Sequence, residues 1–234
     1  MLEVKDIRVH YGKVEAIKGV SLSVADGDIV TLLGANGAGK TTILRTISGL
    51  IRPTSGEIWF SGERIDRVKA SRVVKMGIGH VPEARRVFPY MTVEDNLIMG
   101  AYVRSDKVAI GRDLEELFGH FPILKNRRKQ KAGSLSGGEQ QMLAISRALM
   151  CKPKLVLMDE PTVGVSPVME EEIAKVIRLI NDKGIAVLLV EQDAAMALRL
   201  ANRGYVIEIG RIALSGERDE LANNEDVKRA YLGG

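Results

Sequence analysis

The sequence predicts an α/β fold with a helical insertion. Short apolar segments near both ends of the chain alternate with helical stretches. The span from Thr92 to Lys152 changes to helical periodicity with no convincing strand. A glycine-rich loop, Gly34 to Thr41, directly follows an apolar strand and opens a helix.

Leu2-Val4-Ile7-Val9 and Val20-Leu22-Val24 carry apolar residues in near alternation, as strands do. Asp26-Gly27-Asp28 marks a turn into the apolar strand Ile29 to Leu33. A helix from about Lys40 to Leu50 is stopped by Arg52-Pro53, and Gly56 to Phe60 reads as another strand. Thr92 and Asp95 have capping-box spacing ahead of Leu97-Ile98-Met99, and Asp113 to Phe121 and Gly137 to Met150 are further helices. Beyond Pro153 the order is strand (Leu155 to Met158), helix (Pro167 to Asp182), strand (Ile185 to Val190), helix (Ala194 to Ala201), then two short strands.

A chain of 234 residues, 45% hydrophobic and 27% charged, can bury one substantial core or a core plus a small subdomain, and is not disordered. No apolar run approaches the ~20 residues of a membrane-spanning helix, and the opening Met-Leu-Glu-Val-Lys-Asp has no signal core. The expected location is the cytoplasm or the cytoplasmic face of a membrane. The single cysteine, Cys151, suits a reducing compartment, and three scattered histidines exclude a zinc-type cluster. A net charge of +4 does not by itself indicate nucleic acid. Lys125 to Lys131 holds five cations in seven residues: a solvated loop, or a surface facing anionic lipid or another acidic partner.

Gly34-Ala35-Asn36-Gly37-Ala38-Gly39-Lys40-Thr41 matches G-x-x-x-x-G-K-[ST] in the strand-to-helix setting that a phosphate loop needs. Glycines let backbone N–H groups approach phosphates, and the helix amino terminus adds partial positive charge. Lys40 bridges the terminal phosphates of ATP, the Thr41 hydroxyl ligates Mg²⁺, and Thr42 is placed for the α-phosphate. Accident would produce such a match in roughly 1 in 100 chains of this length, before the setting is counted. Leu155 to Met158 ends in Asp159-Glu160, so a buried strand delivers two carboxylates to the edge where open α/β sheets bind ligands. Asp159 is then a Mg²⁺ ligand, directly or through water, and Glu160 the group that polarises the attacking water.

Between these motifs lies Leu135-Ser136-Gly137-Gly138-Glu139-Gln140-Gln141. Ser136 and Glu139 form a capping box, yet paired glycines after a cap cost about 1 kcal/mol each relative to alanine. That cost points to exposed N–H groups meeting a second anion. The heptad resembles the LSGGQ signature of ATP-binding cassette (ABC) proteins, and loop, signature and acidic strand end follow that family's order over nearly the whole chain. The resemblance implies one cassette domain over residues 1–234. Residues 1–91 and 153–234 give a P-loop NTPase core of ABC-ATPase type with an antiparallel β subdomain, and 92–152 a helical signature subdomain. It also implies head-to-tail pairing, with Ser136, Gly137, Gly138 and Glu139 contacting ATP held by the opposite subunit. Tyr11 matches the aromatic that stacks on adenine, and Pro161 to Ser166 the loop that touches the partner cassette, with Val163 and Val165 where leucines are common.

Two positions depart from the general cassette pattern. Glu83, in Val81-Pro82-Glu83, stands where a glutamine usually ligates Mg²⁺; Gln192, in Leu189-Val190-Glu191-Gln192-Asp193, stands where a histidine usually contacts the γ-phosphate. Glu83 remains an oxygen ligand, and Gln192 still donates a hydrogen bond but is never cationic. Both substitutions resemble the LivF-type ATPases of branched-chain amino-acid importers and their urea-importer relatives, as do Val81 to Pro89, Leu135 to Leu149 and the closing Ala230-Tyr231-Leu232-Gly233. Ala84 departs from the glycine usual there. The implied activity is ATP hydrolysis energising import. The implied partners are two transmembrane permease subunits, a second cassette ATPase of LivG type (or a second copy of this chain) and, indirectly, a periplasmic or lipid-anchored substrate-binding protein. Nucleic acid is not among them: cassettes acting on nucleic acid or ribosomes usually carry coiled coils or two cassettes, and this chain has neither. Glu160 argues against a regulatory module without turnover.

Overall fold

The computed structural model describes residues 1–232. Gly233, in the closing segment singled out above, lies outside them. Two sheets form. The smaller, antiparallel, has the order β2-β1-β4-β5, from β1 (Leu2–Tyr11), β2 (Val14–Val24), β4 (Ser55–Phe60) and β5 (Glu63–Arg64). The larger has the order β10-β9-β3-β8-β7-β6, from β3 (Ile29–Leu33), β6 (Ile78–Val81), β7 (Leu155–Asp159), β8 (Ala186–Glu191), β9 (Arg203–Glu208) and β10 (Arg211–Glu217). Its neighbours run parallel except β9 and β10.

Strands buried on both faces read as continuous apolar runs, which is why β3, β7 and β8 were legible. Successive residues face opposite sides. Val30, Leu32, Leu155, Leu157, Leu188 and Val190 join the core beneath the antiparallel sheet, where helix α1 (Lys40–Ile47) inserts Ile43, Leu44 and Ile47. Leu33, Val156, Met158, Val187 and Leu189 face the second core, shared with the helical span and with α7 (Pro167–Asp182) and α8 (Ala194–Leu200).

Several boundaries differ from expectation. α1 stops at Ile47, not Leu50: Ser48 caps it and Gly49, at φ 73°, turns the chain away. β2 begins at Val14, directly after the turn at Gly12 and Lys13, and register shifts interrupt its pairing with β1. α2 (Ala70–Met76) and β6 are short elements the sequence did not announce; α2 lacks a side-chain cap. The span 92–152 contains α3 (Val93–Gly100), α4 (Lys107–His120), α5 (Pro122–Asn126) and α6 (Gly137–Leu149), and no strand. α3 opens with the expected Thr92–Asp95 capping box, and α4 begins six residues before Asp113. α9 (Arg218–Asn223) and α10 (Glu225–Val227) follow the last strand. Among the described residues no helix is long and apolar enough to cross a membrane.

Two cations of the basic run are engaged: Arg127 lies 3.0 Å from Glu139, and Arg128 pairs with Glu94 while its guanidinium stacks 5.1 Å from the Phe118 ring centre. Lys125, Lys129 and Lys131 are exposed. Phe118, 1% exposed, anchors α4 in the second core. Phe118→Ala is expected to cost about 3–5 kcal/mol of stability, read from urea denaturation of the full chain.

Candidate active site

The loop after β3 is shaped by what surrounds it. A Cβ on Gly34 would stand 2.5 Å from the Ile207 carbonyl oxygen, so β9 packs against the loop only because residue 34 has none. Gly39 has φ 115° and no room beside Ile17 Cδ1. It is the residue before α1 and places no side chain over the helix's first N–H groups, which stay available to an anion. Lys40 is 4% exposed and lies under the loop: its Nζ donates to the carbonyls of Gly34 (2.7 Å) and Ala35 (3.2 Å) and stands 3.2 Å from Glu160 Oε1. Thr41 Oγ1 donates to Asp159 Oδ1 at 3.0 Å.

β7 brings the two carboxylates to this edge. Glu160 adopts φ 49°, a left-handed conformation that costs a non-glycine residue energy and re-aims its side chain toward Lys40. Its N–H donates to the Val190 carbonyl (2.9 Å), and its Oε2 accepts from Gln192 Nε2 (2.7 Å). Burial pushes the Asp159 carboxyl up to about 6, against the Thr41 hydrogen bond and reinforced by the charges of Glu160 and Glu83.

An open cleft of ≈ 660 Å³ results. Tyr11, Ala16, Asn36, Gly37, Gly39, Lys40, Thr41, Thr42, Glu83, Glu160, Val163 and Gln192 line it. Gly34, Ala35 and Ala38 form the loop behind, with Ala38 N–H donating to the Ala35 carbonyl. Tyr11 is 47% exposed with its hydroxyl 3.4 Å from Thr42 Oγ1. A neighbouring cavity of ≈ 450 Å³ shares Glu83 and adds Asp159, Arg45, Arg86 and His80, whose imidazole burial pushes down to about 4, leaving it neutral. Thr41, Asp159 and Glu83 offer oxygen atoms only, which suits a hard cation such as Mg²⁺. No group of three or more histidine, cysteine or acidic residues is arranged to hold a metal ion among the described residues, so such an ion must complete its shell with phosphate oxygens and water.

Ser136, Gly137, Gly138 and Glu139 do not line the cleft. They open α6, where Ser136 Oγ accepts from Glu139 N–H (3.4 Å) and Glu139 Oε2 accepts from Ser136 N–H (2.8 Å). Two flexible side chains lie close over the paired glycines. A Cβ at 137 would meet the Arg85 guanidinium at 2.7 Å, and one at 138 would meet Met169 Cγ at 2.5 Å. Arg85 itself lies in a run of three left-handed residues, Ala84, Arg85 and Arg86, and donates to the Gly164 carbonyl at 2.9 Å.

Glu191 is a site residue to which the sequence motifs assign no role. It is 1% exposed, and its carboxylate accepts from Thr162 N–H (3.1 Å), Thr162 Oγ1 (2.7 Å) and Gln192 N–H (3.3 Å). Burial pushes its carboxyl up to about 7. The available signal was its place: like Asp159, it is an acid closing an apolar strand.

A family profile described as "ABC transporter" matches residues 17–163. The chain is 46% identical over 234 residues to the high-affinity branched-chain amino acid transport ATP-binding protein BraG of Pseudomonas aeruginosa, covering 100% of both. It is 34% identical to a probable branched-chain amino acid transport ATP-binding protein LivF of Archaeoglobus fulgidus, over 100% of this chain and 99% of that one. It is also 34% identical to the lipopolysaccharide export system ATP-binding protein LptB of Haemophilus influenzae, over 100% and 97%. Among solved structures, the ADP conformation of MJ1267, an ATP-binding cassette of an ABC transporter, superposes with a TM-score of 0.86 at 28% identity, covering 100% of this chain and 99% of that one.

Removing the buried ammonium leaves the loop carbonyls and Glu160 without their cation. Lys40→Ala is therefore expected to weaken ATP binding by about 100-fold, measured as equilibrium affinity on the folded variant.

Proposed function

The chain belongs to the ABC transporter family as an ATP-binding cassette, and from that premise we propose that it is the ATPase subunit of an importer of branched-chain amino acids. Members of this family bind nucleotide and are ATPases coupled to transport, and so is this chain. The substrate reading is supported by full-length 46% identity to BraG. The catalytic reading is carried by one observation: Lys40 and Gln192 converge on the two oxygens of Glu160, at 3.2 and 2.7 Å.

In this reading the loop N–H groups and Lys40 hold the terminal phosphates, Tyr11 takes the adenine, and Thr42 reaches the α-phosphate. Thr41, Asp159 and Glu83 hold Mg²⁺, which supplies charge neutralisation to the phosphates. Glu160 takes a proton from the attacking water, and Gln192 fixes the carboxylate's orientation. Phosphoryl transfer is mostly positioning and charge stabilisation, so these placements are the catalysis. Ser136, Gly137, Gly138 and Glu139 serve ATP bound by a second cassette, of LivG type or another copy of this chain. Residues 92–152 act as the helical subdomain and 1–91 with 153–234 as the α/β core. The chain works on the cytoplasmic face of a membrane with two permease subunits.

The LptB likeness supports a second reading, a cassette for lipopolysaccharide export. Proteins co-purifying from membranes separate the two. A permease pair, a second cassette ATPase and a branched-chain amino-acid-binding protein support import; an export permease overturns it. Glu160→Gln is expected to retain ATP binding and to lower turnover at least about 100-fold. Gln192→Ala is expected to lower kcat about tenfold while Gln192→His retains most of it; unchanged rates in both variants remove Gln192 from the chemistry.

A further inference from the structure

We infer that Glu191 is a positioning residue that holds Glu160 and Gln192 in register across the end of the sheet. The inference rests on the catalytic roles proposed for those two residues.

β8 buries six residues, five apolar and the last a carboxylate. Burying an acid at a strand end is costly unless donors meet it, and here three do. Thr162 supplies two, through its N–H and its hydroxyl, and Gln192 the third through its N–H. Thr162 is 7% exposed and lies two residues beyond Glu160, whose own N–H is bonded to Val190, the residue before Glu191. The backbone that carries Glu160 is thus tied to the end of β8 on both sides of the acid. The backbone that carries Gln192 is tied to the same carboxylate. The Gln192 side chain then returns to Glu160 Oε2 at 2.7 Å and closes a ring of four residues: Glu160, Thr162, Glu191 and Gln192.

Such a ring acts by geometry. Glu160 sits in a left-handed conformation that its surroundings must hold, and Glu191 provides the fixed point for the segment just after it. An amide at 191 keeps one acceptor oxygen but turns a donor toward another donor, either at Thr162 or at Gln192. Valine at 162 removes one of the two 2.7 Å bonds of the ring while leaving the carboxylate and the Thr162 N–H contact.

The test compares Glu191→Gln, Thr162→Val and the double variant in the full chain within its membrane assembly. It reads kcat for Mg-ATP, the Kd of a non-hydrolysable ATP analogue, and Tm. Each single variant is expected to lower kcat about tenfold with Kd changed less than about twofold. Because both act on one ring, the double variant should fall no more than about twofold below the worse single. Three results overturn the inference: kcat within twofold of the parent, losses of kcat that track Kd or Tm, or losses that multiply. Should Glu191→Gln fail to fold, Thr162→Val alone decides by the same criteria. Glu160→Gln is the control: if it still turns over, the catalytic reading fails; if it is inactive while Glu191→Gln and Thr162→Val are silent, only this inference fails.

Discussion

The geometry of the site depends on three parallel strands, β3, β8 and β7, lying side by side and ending on one edge. Leu33 stands opposite Glu191, and Asp159 opposite Val190. With that register, the loop at Gly34, the Glu191-Gln192 pair and the Asp159-Glu160 pair start within neighbouring rungs of one ladder. A slip of one residue in any of these strands would exchange its two faces and, in β7 or β8, point the terminal acid elsewhere. Both faces of these strands are covered, one by α1 and the antiparallel sheet, the other by the helical span with α7 and α8. Burial therefore fixes the register, and the register places the chemistry.

Electrostatics follow from the same burial. One ammonium and three carboxylates, Lys40, Asp159, Glu160 and Glu191, meet where the apolar strands end, all of them at most 9% exposed. Each is met by named partners: loop carbonyls for Lys40, a threonine hydroxyl for Asp159, backbone and hydroxyl donors for Glu191. Burial, which disfavours the charged form, raises Asp159 to about 6 and Glu191 to about 7. Polar groups in this setting interact strongly over short distances, and a small displacement alters the whole cluster.

What could be read from the sequence was local. The phosphate loop, the capping boxes at Thr92 and Ser136, and the limits of β3 and α7 depend on residues a few positions apart. α1 ends short of Leu50 because Gly49 leaves the helix at φ 73°, a glycine stop that acts ahead of Arg52-Pro53. α2 and β6, of seven and four residues, are too short for periodicity to register. Glu191 gained its role only from Thr162, 29 positions away, a pairing made by adjacent strands. The close approach of Arg85 and Met169 to Gly137 and Gly138 was equally hidden, since both come from distant parts of the chain.

β6 leaves the walls of the cleft unevenly paired. β3, β7 and β8 are each gripped by ladders on two sides, whereas β6 is the edge of its sheet and pairs only with β7, over four residues. It leads straight to Glu83 and into the three left-handed residues 84–86. The wall that carries Glu83 thus hangs from a single ladder, while the strands bearing the phosphate loop and the acidic pair are held from both sides.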